Sequence, residues 1–191
     1  EPASVEARNL YADFLIHLSD ERKAIEQLRL ASALDTTVNT RLKLANLLHS
    51  QNNLFEALAE YQTILQDDPK NLNALQGAAN NFKALGYKDE ATAMYKKIVE
   101  EYPNDVLSNY NYGLLLQENK DLENAKLQYE KVAQLNPDFE QAYYVLGLVY
   151  WDLGEKAKAR EIWAKFTANS NDEDLKKRVE LIIQSDEVTQ G

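Results

Sequence analysis

Residues 143–163, YYVLGLVYWDLGEKAKAREIW, decide how this chain is read. Tyr143, Leu146, Gly147 and Tyr150 recur at spacings of three and four, the period that places side chains on one face of a helix. Leu153-Gly154-Glu155 interrupts that helix, and a second one carries Ala159, Ile162, Trp163 and Phe166. The same plan returns at intervals of 34 residues: Ala57, Ala91, Ala125 and Ala159, each followed four residues later by Tyr61, Tyr95, Tyr129 and Trp163. Pro69, Pro103 and Pro137 share that interval and stop the second helix, because the residue before proline is pushed out of the α region. Self-similarity at this period marks a helical solenoid, in which each unit buries its apolar side against its neighbours.

The units are 38–71, 72–105, 106–139 and 140–173. An earlier unit runs from about 5 to 37, with Ala24 as its small residue and Thr36 where proline would fall, one residue short of register. Gly86 and Gly154 occupy equivalent turns between the helices, where a positive φ is needed, and Asn52 holds that place in 38–71. The small residues Ala79, Gly113 and Gly147 on the first helices are expected to let helices approach closely, and the aromatics fill the gap beside them. Leu175, Val179, Ile182 and Ile183 form the apolar face of a closing helix over 172–185, which covers the open end of the last pair. Residues 1–4 are expected to be a tail and 186–191 a frayed end.

These residues resemble the tetratricopeptide repeat family, most clearly in Tyr143-x-x-Leu146-Gly147-x-x-Tyr150 with Ala159-x-x-x-Trp163, then in Tyr112-Gly113, Ala125, Tyr129 and Pro137. The resemblance covers about residues 5–171. It implies an all-α fold, a right-handed α-solenoid of about five helix-turn-helix repeats plus a C-terminal capping helix. It also implies that the first helix of each pair lines a concave groove in which ligands bind. The groove positions are Asn39, Leu42, Asn46 and His49; then Asn73, Gln76, Asn80 and Lys83; then Leu107, Tyr110, Leu114 and Gln117; and last Gln141, Tyr144, Leu148 and Trp151.

Amides both donate and accept hydrogen bonds, so Asn46, Asn80 and Asn111 suit the backbone of an extended peptide. Tyr110, Tyr144, Leu148 and Trp151 suit apolar side chains, as aromatic anchors do in binding hot spots. Asn80 and Tyr144 are expected to point away from the repeat interfaces. The plainer alternative leaves the asparagines solvated and the tyrosines packed on the next repeat. A clamp for a C-terminal carboxylate, which the family builds from basic residues, is disfavoured, because Leu42, Leu107 and Asn111 stand at those places and Asn46 alone matches.

The chain has 21 basic and 31 acidic residues, a net charge of −10, and each half divided at Asp105 carries −5. No basic tract provides the counterion-releasing surface that nucleic acid requires, and anionic membrane surfaces are disfavoured for the same reason. The apolar run Val145–Trp151 is too short to cross a bilayer. There are no cysteines, hence no disulfide, thiolate metal site or cysteine nucleophile. His17 and His49 are too few for a metal site without a placed carboxylate, and Asp67-Asp68 and Glu100-Glu101 read as solvated junction residues. The expected protein is therefore non-catalytic and without cofactor: an adaptor or assembly scaffold binding a protein or an extended peptide, a basic one on charge grounds. The rival is a self-assembling unit that forms homo-oligomers through groove or end contacts. The start at Glu1 without methionine is read as a trimmed or processed product, and the repeat style as bacterial. On that expectation the chain is the soluble part of a membrane-anchored protein, cytoplasmic or extracytoplasmic.

If the alanines mark close contacts, Ala125→Leu overpacks its site and lowers stability by about 1–3 kcal/mol. Tyr129→Ala, which empties a ring-sized space, costs about 3–5 kcal/mol. Urea midpoints of the two variants measure both; unchanged midpoints would refute the register.

Overall fold

The computed structural model describes residues 4–34 and 37–190, with the side chains of 169 and 187–190 set aside. Thr36, residues 1–3 of the expected tail and Gly191 lie outside the described residues. Among the described residues the fold is all helical, with eleven helices. They are α1 (Val5–His17), α2 (Glu21–Leu34), α3 (Val38–Ser50), α4 (Leu54–Asp67), α5 (Leu72–Ala84) and α6 (Lys88–Glu101), then α7 (Val106–Glu118), α8 (Leu122–Leu135), α9 (Glu140–Asp152), α10 (Lys156–Asn169) and α11 (Glu173–Gln190). The chain divides into two compact units, Glu1–Ile98 and Val99–Gly191.

In the first unit the core gathers Ala12, Leu15, Leu28, Leu44, Leu48, Ala57, Tyr61 and Ile64. In the second it gathers Leu116, Ala125, Tyr129, Leu146, Ala159, Trp163 and Phe166. Ala57, Ala91, Ala125 and Ala159 are wholly buried, and so are Tyr95, Tyr129 and Trp163, with Tyr61 nearly so. Small and large residues meet as the repeat predicts. A Cβ on Gly113 would stand 2.6 Å from the Tyr129 ring, so no larger residue fits there without displacing it. Gly77, two residues before Ala79 and on the first helix of the next pair, plays the same part against Tyr61.

The first helix of each pair ends with the same hydrogen-bonded reversal. The amides of Asp20, Asn53, Tyr87, Asp121 and Glu155 donate to the carbonyls of Leu15, Leu48, Phe82, Leu116 and Tyr150, respectively. That closure requires a left-handed residue just before the donor. It is Ser19, Asn52, Gly86, Lys120 and Gly154, all at positive φ. Three of the five were legible as glycine or asparagine. Ser19 and Lys120 were not, because the backbone geometry is imposed by the packing of the pair and overrides their local preference. Helix starts are capped by side chains: Asn71 accepts from the Ala74 amide at 3.1 Å and Asp105 from the Ser108 amide at 2.8 Å.

α11 begins where expected, with Asp172 accepting from the Leu175 amide at 3.0 Å. Leu175, Val179, Ile182 and Ile183 pack on the core of the second unit. The helix continues to Gln190, past the 185 expected, so the anticipated frayed segment is helical as far as it is described. Asp186 supplies the reason. Its buried carboxylate is held by Lys156 and by Arg160 on α10, which anchors the last turns against the preceding helix.

Lys120 adopts φ 64°, where a side chain is disfavoured by about 1–2 kcal/mol relative to the right-handed region. Lys120→Gly therefore raises stability by about 1 kcal/mol, whereas Gly154→Ala lowers it by a similar amount. Thermal or urea unfolding of the pair measures both signs.

Candidate functional site

In the first unit, the exposed sides of α3 and α5 form a cleft of about 510 Å³. It is lined by Asn39, Leu42, Lys43, Asn46 and His49 from α3, by Tyr61 from α4, and by Asn73, Gln76, Gly77 and Asn80 from α5. Seven of these ten stand at groove positions taken from the sequence, including all five amides expected in this part of the chain. Lys43, Tyr61 and Gly77 are additional. The signal for the last two was present: a ring at Tyr61 needs a small neighbour on the next repeat, and Gly77 is that neighbour.

The cleft's amides are not merely solvated. The Tyr61 hydroxyl donates to Asn46 Oδ1 at 2.6 Å, and the Tyr95 hydroxyl donates to Asn80 Oδ1 at 2.5 Å. Burial pushes the Tyr61 phenol up to about 12, so it stays neutral and keeps its proton to donate. The asparagine carbonyl oxygens are thereby occupied from below, and the Nδ2 groups of Asn46 and Asn80 have no hydrogen-bond partner among the described residues. A buried tyrosine thus orients each exposed amide with its donor free. This coupling was invisible in the sequence, where the tyrosines read as core and the asparagines as surface. Asn80 is consequently tied to the repeat packing, not detached from it.

The cleft's cation is already matched, since Lys43 Nζ lies 2.8 and 2.7 Å from the two Asp13 carboxylate oxygens. His49 is held by a 2.8 Å contact between Nδ1 and Oδ1 of the fully buried Asn81, whose Nδ2 donates to the Leu54 carbonyl. His17 is exposed at the end of α1. No group of three or more histidine or carboxylate side chains able to hold a metal occurs among the described residues.

In the second unit, Tyr110, Tyr144, Leu148 and Trp151 are half-buried and pack on the core. The Tyr110 ring lies 5.9 Å from Tyr129 and 4.9 Å from Phe139, and burial raises its phenol. The Trp151 ring lies 5.5 Å from that of Trp163, and Lys156 Nζ stands over the Trp151 ring, 5.2 Å from its centroid. The backbone carbonyl of Tyr144 accepts from Trp163 Nε1 at 3.1 Å. The Tyr144 side chain is itself half-buried and packed against the core of the second unit, so it does not point clear of the repeat packing as expected. Asn111 is half-buried on α7 next to Tyr110. Here Leu114 stands where Asn46 and Asn80 stand in their repeats, and the Tyr129 hydroxyl donates instead to Gln117 at 3.1 Å.

Tetratricopeptide repeat models match residues 73–105 and 141–170, 94–126, and, described as TPR repeat, 116–154. The chain belongs to the tetratricopeptide repeat family. A tetratricopeptide repeat protein from Parabacteroides merdae has a similar structure, with a TM-score of 0.81 at 18% identity, over 96% of this chain and 75% of that one. YrrB, described as a TPR protein with an unusual peptide-binding site, aligns with a TM-score of 0.72 at 20% identity, over 91% of this chain and 90% of its own. Among curated proteins, the probable UDP-N-acetylglucosamine–peptide N-acetylglucosaminyltransferase SPINDLY of Hordeum vulgare is 28% identical over 117 residues. That match takes in 61% of this chain, and the chain spans only 12% of that relative's length. No helix among the described residues is long and apolar enough to cross a membrane.

Asn46→Ala removes the acceptor of a nearly buried hydroxyl and lowers stability by about 1 kcal/mol. Asn46→Asp keeps an acceptor for Tyr61 and stays close to wild type. Denaturant midpoints for the two variants test the coupling, and equal midpoints would refute it.

Proposed function

We propose that this tetratricopeptide repeat chain is a non-catalytic interaction module, an adaptor or assembly scaffold, that binds an extended peptide or partner segment in the amide-lined cleft of its first unit. The observation that carries the reading is the pair of oriented amides, Asn46 and Asn80, each fixed by a tyrosine hydroxyl with its Nδ2 left to donate. Two such donors on adjacent first helices meet the carbonyls of an extended backbone, which are acceptors without sequence preference. Asn39, Asn73 and Gln76 extend the polar lining to either side. In the second unit, Tyr110, Tyr144, Leu148 and Trp151 are the proposed apolar counterpart, with the Asn111 amide beside them. The four apolar side chains contribute the exposed parts of groups whose remaining area is already packed.

The structural likeness to YrrB supports peptide recognition as a use of this fold. The match to a glycosyltransferase concerns a short part of that protein, and its chemistry is not carried over here. The net charge of −10 favours a basic partner, whose association slows as salt rises.

Selection of a phage-displayed random peptide library on the immobilised chain, followed by titration of the selected peptides, tests the reading. In Asn46→Asp with Asn80→Asp, both tyrosine acceptors persist but the free donors are lost. Each lost hydrogen bond is worth about 0.5–1.5 kcal/mol, so affinity falls about tenfold or more while circular dichroism stays unchanged. Peptides that bind the double variant as tightly as wild type would place recognition elsewhere, and failure to enrich any peptide would sink the reading.

A further inference from the structure

One hydrogen-bonding group of the first unit's cleft has its sense set by a backbone carbonyl beneath it. Asn81 on α5 is fully buried, and its Nδ2 donates to the carbonyl of Leu54 at the start of α4. A carbonyl only accepts, so the Asn81 amide has one orientation, with Oδ1 2.8 Å from His49 Nδ1. An amide oxygen has no proton to give, and His49 Nδ1 therefore carries the hydrogen and donates it. In the neutral imidazole the second nitrogen is then an acceptor. Leu54 and Asn81 thus select one of the two tautomers of His49, the one that leaves a lone pair on Nε2. Among the described residues Nε2 has no partner. The buried side-chain atoms without partners are Arg8 Nε, Asn9 Oδ1 and Asn109 Oδ1, so Nε2 is open to solvent, on a residue that lines the cleft.

Its neighbours in the cleft have the opposite sense. Asn46 and Asn80 keep their Nδ2 donors free because the Tyr61 and Tyr95 hydroxyls occupy their carbonyl oxygens. Asn46 precedes His49 by three residues on α3, a spacing that sets Cβ atoms about 5–6 Å apart on one helix face. The α3 wall therefore offers a donor and an acceptor side by side. Lys43, the cation of the cleft, is bound to Asp13 and competes for neither. An extended backbone offers the matching pair along one edge, since the N–H and C=O of a single residue point to the same side, as in the hydrogen-bonded pairs of an antiparallel sheet. We infer that His49 Nε2 accepts the backbone N–H of the peptide residue whose carbonyl Asn46 receives, which rests on the peptide-binding role proposed for this cleft. Asn46 and Asn80 alone read carbonyls, and every residue has one, proline included. His49 adds a requirement that proline fails, because proline has no N–H. It is the specificity-determining residue of the α3 wall and excludes proline from the position seated there.

The chain has only two histidines, so nitrogen NMR of histidine-labelled protein at mildly alkaline pH reads the tautomer directly, with His17→Gln to assign the signals. His49 is expected as the Nδ1–H form, whereas the exposed His17 averages between the two forms. Peptides enriched from the phage-displayed random library are then synthesised with each backbone amide replaced in turn by an ester, which removes the N–H and keeps the shape. At one position the ester is expected to weaken binding to wild type about tenfold and to leave binding to His49→Phe unchanged. Proline at that position weakens wild-type binding at least as much. The His49 Nε2 signal shifts with the parent peptide and not with that ester. Should circular dichroism show His49→Phe unfolded, the Nε2 signal of the wild type decides. An Nε2–H tautomer for His49, no ester-sensitive position, an equal ester penalty in folded His49→Phe, or an Nε2 signal indifferent to peptide overturns the assignment and leaves the amide contacts standing. Failure of the amide contacts shows separately, as no enriched peptide or as full affinity in Asn46→Asp with Asn80→Asp, and overturns the role of His49 with them.

Discussion

Seating a large ring over a very small residue is the contact from which the rest of this structure follows. Tyr61, Tyr95, Tyr129 and Trp163 are buried, and opposite three of them the backbone of another helix has to come close enough that only glycine is accommodated, at Gly77, Gly113 and Gly147. The close approach brings neighbouring helices within each unit into dispersion range. Around it, Ala57, Ala125 and Ala159 leave room for the crossing helix and the aliphatic residues complete two cores. The left-handed turns at Ser19, Asn52, Gly86, Lys120 and Gly154 then reverse the chain so that the second helix meets the first in the same way each time.

The rings have polar atoms, and where those atoms go decides what the surface presents. A buried hydroxyl or indole N–H left without an acceptor is costly. In the first unit the acceptors are exposed asparagines, so satisfying the core also fixes the direction of the surface amides. In the second unit the acceptors are Gln117 and the carbonyl of Tyr144, and the groove positions between them are filled by leucine and aromatic side chains. One packing solution therefore yields a polar, amide-lined cleft in one unit and apolar, half-buried groove positions in the other.

The ends of the repeat array differ in the same terms. At the C-terminal end, Leu175, Val179, Ile182 and Ile183 meet the core, and the outward face of α11 is charged. On α1, Leu10, Phe14 and Leu18 are exposed. The acidic surface favours solubility.

The repeat interval, the helix pairs and the buried rings were legible in the sequence because each rests on spacing: 34 residues between units and four between Ala125 and Tyr129. Identity and period are enough to say that a residue is small, large or able to break a helix. The groove amides were legible too, as positions. Tertiary structure alone decided what those positions do. Asn46 was bound to Tyr61, 15 residues away, and Asn80 to Tyr95; the Trp163 indole N–H was given to the Tyr144 backbone carbonyl; Asp186 was taken between Lys156 and Arg160, which carried the last helix on to Gln190. A repeat pattern states which face a side chain occupies, whereas hydrogen bonds and ring contacts depend on distances of a few ångströms between helices that only the folded chain sets.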